Sequence, residues 1–99
     1  MTEAWSAFRE QSPFEWAYFN RQFSKLLWDR KQFEAAGKHL KPAMDLLVER
    51  LGATHPDSLE CQFQYAKILM ALNEQDAGQA LLQELANGGY EPAQAQLKH

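Results

Sequence analysis

Strand-forming residues are almost missing from this chain. Its 99 residues include two Thr, one Val and one Ile, too few β-branched side chains for a sheet, so the expected fold is all-α. Cysteine is nearly missing as well. Cys61 has no second thiol to pair with, which excludes an internal disulfide and favours a reducing compartment; the expected location is the cytoplasm. Long apolar runs are lacking. The longest, Ile68 to Leu72, is far short of the roughly 20 residues a membrane span needs. The opening Met1-Thr2-Glu3-Ala4-Trp5 has no basic stretch followed by an apolar one, so no leader peptide is expected. Basic residues thin out along the chain: residues 51–97 hold six acids and only Lys67. With no basic stripe to neutralise phosphates, nucleic acid is not expected as the main partner.

Catalytic and metal-binding patterns are lacking too. His39, His55 and His99 are scattered and have no ligand spacing with Cys61, so neither a metal nor another cofactor is expected. There is no Gly-rich phosphate loop, nucleophile elbow or paired-carboxylate constellation. Asp29 with Glu34, and Glu74 with Asp76, read as helix-end charges. The expectation is a protein without catalytic residues.

What the chain does contain is a repeat. Gln22-Phe23-Ser24-Lys25-Leu26-Leu27 returns 42 positions later as Gln64-Tyr65-Ala66-Lys67-Ile68-Leu69, and Glu34, Ala35 and Leu40 return as Asp76, Ala77 and Leu82. Such self-similarity signals stacked copies of one supersecondary unit. The expected organisation is a single domain over 1–99: an N-terminal helix in 1–12, one unit over 13–54, a second over 55–89, and a capping helix in 90–99. That makes about five helices.

Local signals place them. Ser12-Pro13-Phe14-Glu15 reads as a capping box with proline at the first helical position. The helix it starts should run to about Arg30, with Phe19, Phe23, Leu26 and Leu27 as its core stripe. A second helix, from about Gln32 to Leu51, contains Pro42, where a bend is expected, and Gly52 should end it. Asp57-Ser58-Leu59-Glu60 reads as another capping box opening a helix to about Leu72. Asn73 should cap the next, Gly88-Gly89 close it, and Glu91-Pro92 open a last short one. Phe23, Leu27, Ala36, Leu40, Ala66, Leu69 and Leu82 are the expected core. Replacing Phe23 by Ala should then cost about 3–5 kcal/mol.

Small residues at Ser24, Ala36, Ala66 and Gly78 suit helices that cross closely, with Phe23, Leu27, Phe33 and Leu40 around the first two and Tyr65, Leu69, Leu82 and Leu85 around the others. On these residues the chain resembles a tetratricopeptide array. The 42-residue period is similar to the kinesin-light-chain type, and Gly88 to Leu97 is similar to the start of a Sel1-like repeat. The chain departs from the pattern at Asn20 and Gln62, where a large residue is usual, and at Gln75, which stands where the first unit has Phe33. The resemblance implies a right-handed stack of helix pairs working as an adaptor, not a motor partner. It also implies a concave groove bearing Tyr18, Arg21, Lys25, Trp28, Phe63, Lys67 and Met70, beside the recurring Gln22 and Gln64. The partner would be a peptide or helix of another protein with acidic or amide groups. The family's carboxylate-clamp version needs asparagines where Gln22, Lys25 and Gln64 stand, so that version is not implied.

Nine of the twelve aromatic residues lie between positions 5 and 33. One helix stripe cannot bury them all, and exposed apolar surface of that size has a use. Either the first helix folds over them with Trp5 and Phe8, or they form a partner or homodimer surface. Two other functions suit parts of the chain. The acidity of 51–97 suits a small inhibitor or immunity-type protein that blocks a macromolecular target. His55-Pro56-Asp57 matches the tripeptide by which J-domain co-chaperones act, but the segment before it lacks their basic helix. It reads better as a turn in which Pro56 stops one helix and Asp57 starts the next.

Overall fold

The computed structural model describes residues 8–97, and the regular structure of those residues is entirely α-helical. Five complete helices follow one another: α1 (Pro13–Asp29), α2 (Phe33–Leu51), α3 (Pro56–Ala71), α4 (Gln75–Asn87) and α5 (Glu91–Leu97). Residues 8–11 are also helical, the described part of the helix expected at the N-terminus. Trp5 and His99 lie outside the described residues. Connections of three or four residues join the helices, and each helix packs against the next in sequence. Short links of this kind leave neighbours antiparallel.

The repeat is written into the backbone. Lys31 after α1 and Asn73 after α3 both adopt left-handed backbone, with φ of 61° and 66°. Beyond each, an N–H reaches back over the helix end: Gln32 donates to the Leu27 carbonyl at 2.8 Å, and Glu74 to the Leu69 carbonyl at 2.9 Å. This is the Schellman arrangement, which satisfies carbonyls that a helix end leaves open. Asn20 and Gln62 are equivalent in the same way. Asn20 Nδ2 donates to the Trp16 carbonyl at 2.9 Å and Gln62 Nε2 to the Ser58 carbonyl at 3.2 Å.

Several capping expectations are corrected. Asn73 does not cap α4; it takes the left-handed position that ends α3, and Glu74 stands at the N-cap without a side-chain bond. Ser12 precedes α1 but makes no side-chain cap. Its N–H is already donated to the Phe8 carbonyl at 2.8 Å, so Glu15 finds no free donor there to complete a box. At α3 the cap is His55, whose Nδ1 accepts from the Asp57 N–H at 3.1 Å. Pro56 fixes the first helical position, so the cap must precede it and Asp57 falls within the first turn. α2 runs through Pro42 to Leu51, and Gly52 follows with φ 93°, the left-handed region that glycine enters without steric cost.

The largest correction concerns the buried face of α1. It buries Trp16, Ala17, Asn20, Ser24 and Leu27, whereas Phe19, Phe23 and Leu26 are 52%, 37% and 58% exposed. The reason is the crossing with α2. Ser24 is fully buried there and its Oγ donates to the Ala36 carbonyl at 2.9 Å, which points Ser24 at α2. One residue is about 100° of helix rotation, so Phe23 is swung off the core. Of the expected core residues, Leu27, Ala36, Leu40, Ala66 and Leu82 are buried, while Leu69 is half-buried.

Two cores result. The first joins Trp16, Ala17 and Leu27 to Leu40, Leu47, Cys61 and Ile68, with Phe8 packed at its edge. The second joins Ala66 to Leu82, Leu85, Ala86 and Ala93. α3 therefore serves both: Cys61 and Ile68 face the first core and Ala66 the second. A helix that must be apolar on two sides carries a weak one-sided pattern.

Candidate functional site: a groove across α1, α3 and α5

The repeat sets α1 and α3 side by side, and polar side chains tie them together. Tyr18 Oη donates to Asp57 Oδ2 at 2.6 Å. Arg21 Nη1 lies 4.0 Å from Asp57 Oδ1 and 3.6 Å from Glu60 Oε2, and Lys25 Nζ lies 3.4 Å from Glu60 Oε1. The Tyr18 hydroxyl is shifted up from its ordinary value, first because it donates a hydrogen bond to the Asp57 carboxylate and then because it is buried. The Arg21 side chain is only 14% exposed, and its guanidinium also stands over the Tyr18 ring, 5.6 Å from the centroid. Tyr18 and Arg21 thus act as struts between two helices, and both carboxylates on α3 are engaged by α1.

Beyond these struts the surface opens into a cleft of about 430 Å³ lined by Lys25, Trp28, Asp29, Glu60, Phe63, Gln64, Lys67, Tyr90 and Pro92. Trp28 comes from α1, while Phe63 and Gln64 each stand one turn before Lys67 on α3. Lys67 lies between two rings, with Nζ 5.5 Å from the Trp28 centroid and 5.2 Å from that of Phe63. Such cation–π contacts hold an ammonium in place without neutralising it. Lys67 makes no ion pair among the described residues. Tyr90, ahead of α5, closes the far wall edge-on to Phe63, with ring centroids 5.7 Å apart. Burial, and after it the charge of Glu60, raises the Tyr90 hydroxyl above its ordinary value.

Of the residues expected in a groove, Lys25, Trp28, Phe63, Gln64 and Lys67 line this cleft. Tyr18 and Arg21 lie beside it as struts. Gln22 is exposed on α1 and Met70 packs on the second core; neither lines the cleft. Sequence reasoning missed Asp29, Glu60, Tyr90 and Pro92. Glu60 precedes Phe63 and Gln64 by one helical turn, and that spacing was a usable signal. No local pattern places Tyr90 against Phe63, because the pairing depends on how α5 packs.

Among the described residues no three His, Cys, Asp or Glu side chains are grouped to hold a metal ion, and no helix is long and apolar enough to cross a membrane. No protein family, curated protein or solved structure matches the chain.

Proposed function

We propose that this chain is a small interaction module: a short tetratricopeptide-like stack of helix pairs that binds a peptide or helix of another protein in the α1–α3–α5 groove. It works as a scaffold or adaptor rather than an enzyme, in the cytoplasm. The observation that carries the reading is Lys67, an ammonium held between Trp28 and Phe63 at a cleft wall with no carboxylate of its own. A partner carboxylate would complete that cation, and apolar side chains next to it would cover the Trp28, Phe63 and Tyr90 rings. The equivalent backbone at Lys31 and Asn73 supports the repeat architecture, and a lone, buried Cys61 suits a reducing compartment.

The test is a titration of short peptides that pair Asp or Glu with an aromatic or aliphatic residue, followed by tryptophan fluorescence. Lys67→Glu is expected to weaken the best binder at least about tenfold, the usual scale for losing a hydrogen bond to a charged group. Lys25→Glu should have a smaller effect, since Glu60 already engages Lys25. Affinity unchanged in both variants, or no binding by any acidic peptide, would sink this reading.

A further inference from the structure

Four charged side chains line the cleft: Lys25, Asp29, Glu60 and Lys67. Two of them answer each other. Lys25 Nζ stands 3.4 Å from Glu60 Oε1, and Arg21 holds the second Glu60 oxygen. The other two, Asp29 and Lys67, are in no ion pair among the described residues. The cleft therefore offers one uncompensated charge of each sign.

Nothing in the fold calls for an acid at Asp29. It is the last residue of α1, and the last turn of that helix holds no basic residue. The carbonyl end of a helix carries partial negative charge, so an anion there is disfavoured and a cation is wanted. Arg30 and Lys31 follow at once, yet neither pairs with it. The repeat does not require an acid either, since the equivalent position 42 residues on is Ala71. Asp29 is exposed, and its carboxylate accepts no hydrogen bond among the described residues. Trp28 links the two free charges. Asp29 is its chain neighbour, the Lys67 ammonium lies 5.5 Å from its ring centroid, and Phe33 backs it edge-on with centroids 4.9 Å apart.

We propose that the segment bound in this cleft is amphoteric. An acidic side chain meets Lys67, a basic one meets Asp29, and an apolar side chain between them covers Trp28 and Phe63. A purely acidic segment would leave Asp29 unanswered and bring a like charge towards it. Asp29 then sets the direction in which the segment lies, because reversal would place like charges together at both ends. The inference rests on the groove reading above and adds the basic half of the ligand.

Isothermal titration calorimetry with acetylated, amidated peptides tests it, since blocked ends bring no charge of their own. Each peptide has a central Leu-Phe pair. The flanks are Glu and Lys, Glu and Gln, or Glu and Glu, with the unlike flanks made in both orders. On the wild-type chain the better Glu/Lys order should bind about threefold more tightly than the better Glu/Gln order, the scale of one exposed ion pair. It should also bind more tightly than its own reversal. Asp29→Asn should abolish that advantage and leave Glu/Gln affinity intact, while Asp29→Lys should make the Glu/Glu peptide the tightest. Both variants should keep the circular dichroism of the wild type, because Asp29 is exposed and unpaired. Suppose Glu/Gln binding is weakened by Lys67→Glu, but Glu/Lys binds wild type no more tightly, or keeps its advantage in Asp29→Asn. Either result would overturn this inference and leave the groove reading standing. No binding by any peptide, or Glu/Gln binding indifferent to Lys67→Glu, would overturn both.

Discussion

Lys31 and Asn73 fill the same backbone niche, 42 residues apart, and they are the two non-glycine residues with left-handed φ among those described. Asn tolerates that region through its short polar side chain, whereas Lys has no such compensation; left-handed backbone costs an ordinary L-residue roughly 1–2 kcal/mol. Lys31→Gly is therefore expected to stabilise the chain by about 0.5–1 kcal/mol, with Asn73→Gly gaining less. Urea midpoints at constant m-value are the check. A loss of stability at Lys31→Gly would mean that the lysine side chain supplies something beyond its place in the turn.

Gly78 should behave against the general rule for helices. Gly→Ala inside a helix normally gains up to about 1 kcal/mol. Here a Cβ would stand 2.6 Å from Met70 Cγ and 2.9 Å from the Ala66 carbonyl oxygen. The methionine can move aside, but the α3 backbone cannot without parting the two helices. Gly78→Ala is expected to lose about 1–3 kcal/mol. Gly88→Ala, where the nearest atom is 3.5 Å away and φ is −81°, should be close to neutral. Thermal unfolding of the two variants side by side measures the contrast.

Leu40 and Phe23 separate core from surface. Leu40 is fully buried, and Leu40→Ala is expected to cost about 2–5 kcal/mol. Phe23 keeps an edge contact with His39, ring centroids 4.7 Å apart, but is 37% exposed. Phe23→Ala should cost only about 1 kcal/mol when unfolding is followed at low protein concentration. This replaces the 3–5 kcal/mol that follows from counting Phe23 as core.

Alkali should unfold the protein through Cys61. Burial pushes its thiol up to about 11 from an ordinary 9.0, with the Arg21 guanidinium acting in the opposite direction. The folded state thus holds the proton more tightly than the unfolded chain. That stabilisation is complete below pH 9 and is lost as pH rises towards about 11. The loss is on the order of 2–3 kcal/mol. Tyr18, also raised, adds to it at the upper end of the range. Urea midpoints measured across this range should fall for the wild-type chain and fall less steeply for Cys61→Ala.

Much of this fold was legible because a repeat leaves two readings of every position. Gln22 to Leu27 and Gln64 to Leu69 located both first helices, and the small residues at 24, 36, 66 and 78 located both crossings. The buried face of α1 was not legible in the same way. Asn20 and Ser24 look like surface residues, yet they are buried because each side chain finds a backbone carbonyl. Phe19 and Phe23 look like core because they lie one turn apart. Ser24 held the correct answer, since its counterpart Ala66 is also fully buried. The groove was legible on α1 and α3, where the repeat aligns Lys25 with Lys67. It was not legible at Tyr90, which reaches the cleft only through the packing of α5.

The short α5 has a consequence for how copies of this chain can associate. It lies on α4, with Ala93 fully buried and Gln94 Nε2 bonded to the Ala86 carbonyl at 3.0 Å. The helix that follows α4 in the chain thus already packs against it. Stacked repeats with both ends open grow head to tail into fibres, because such a contact never closes on itself. With α5 already seated on α4, a head-to-tail contact of that kind finds this part of the α4 surface taken.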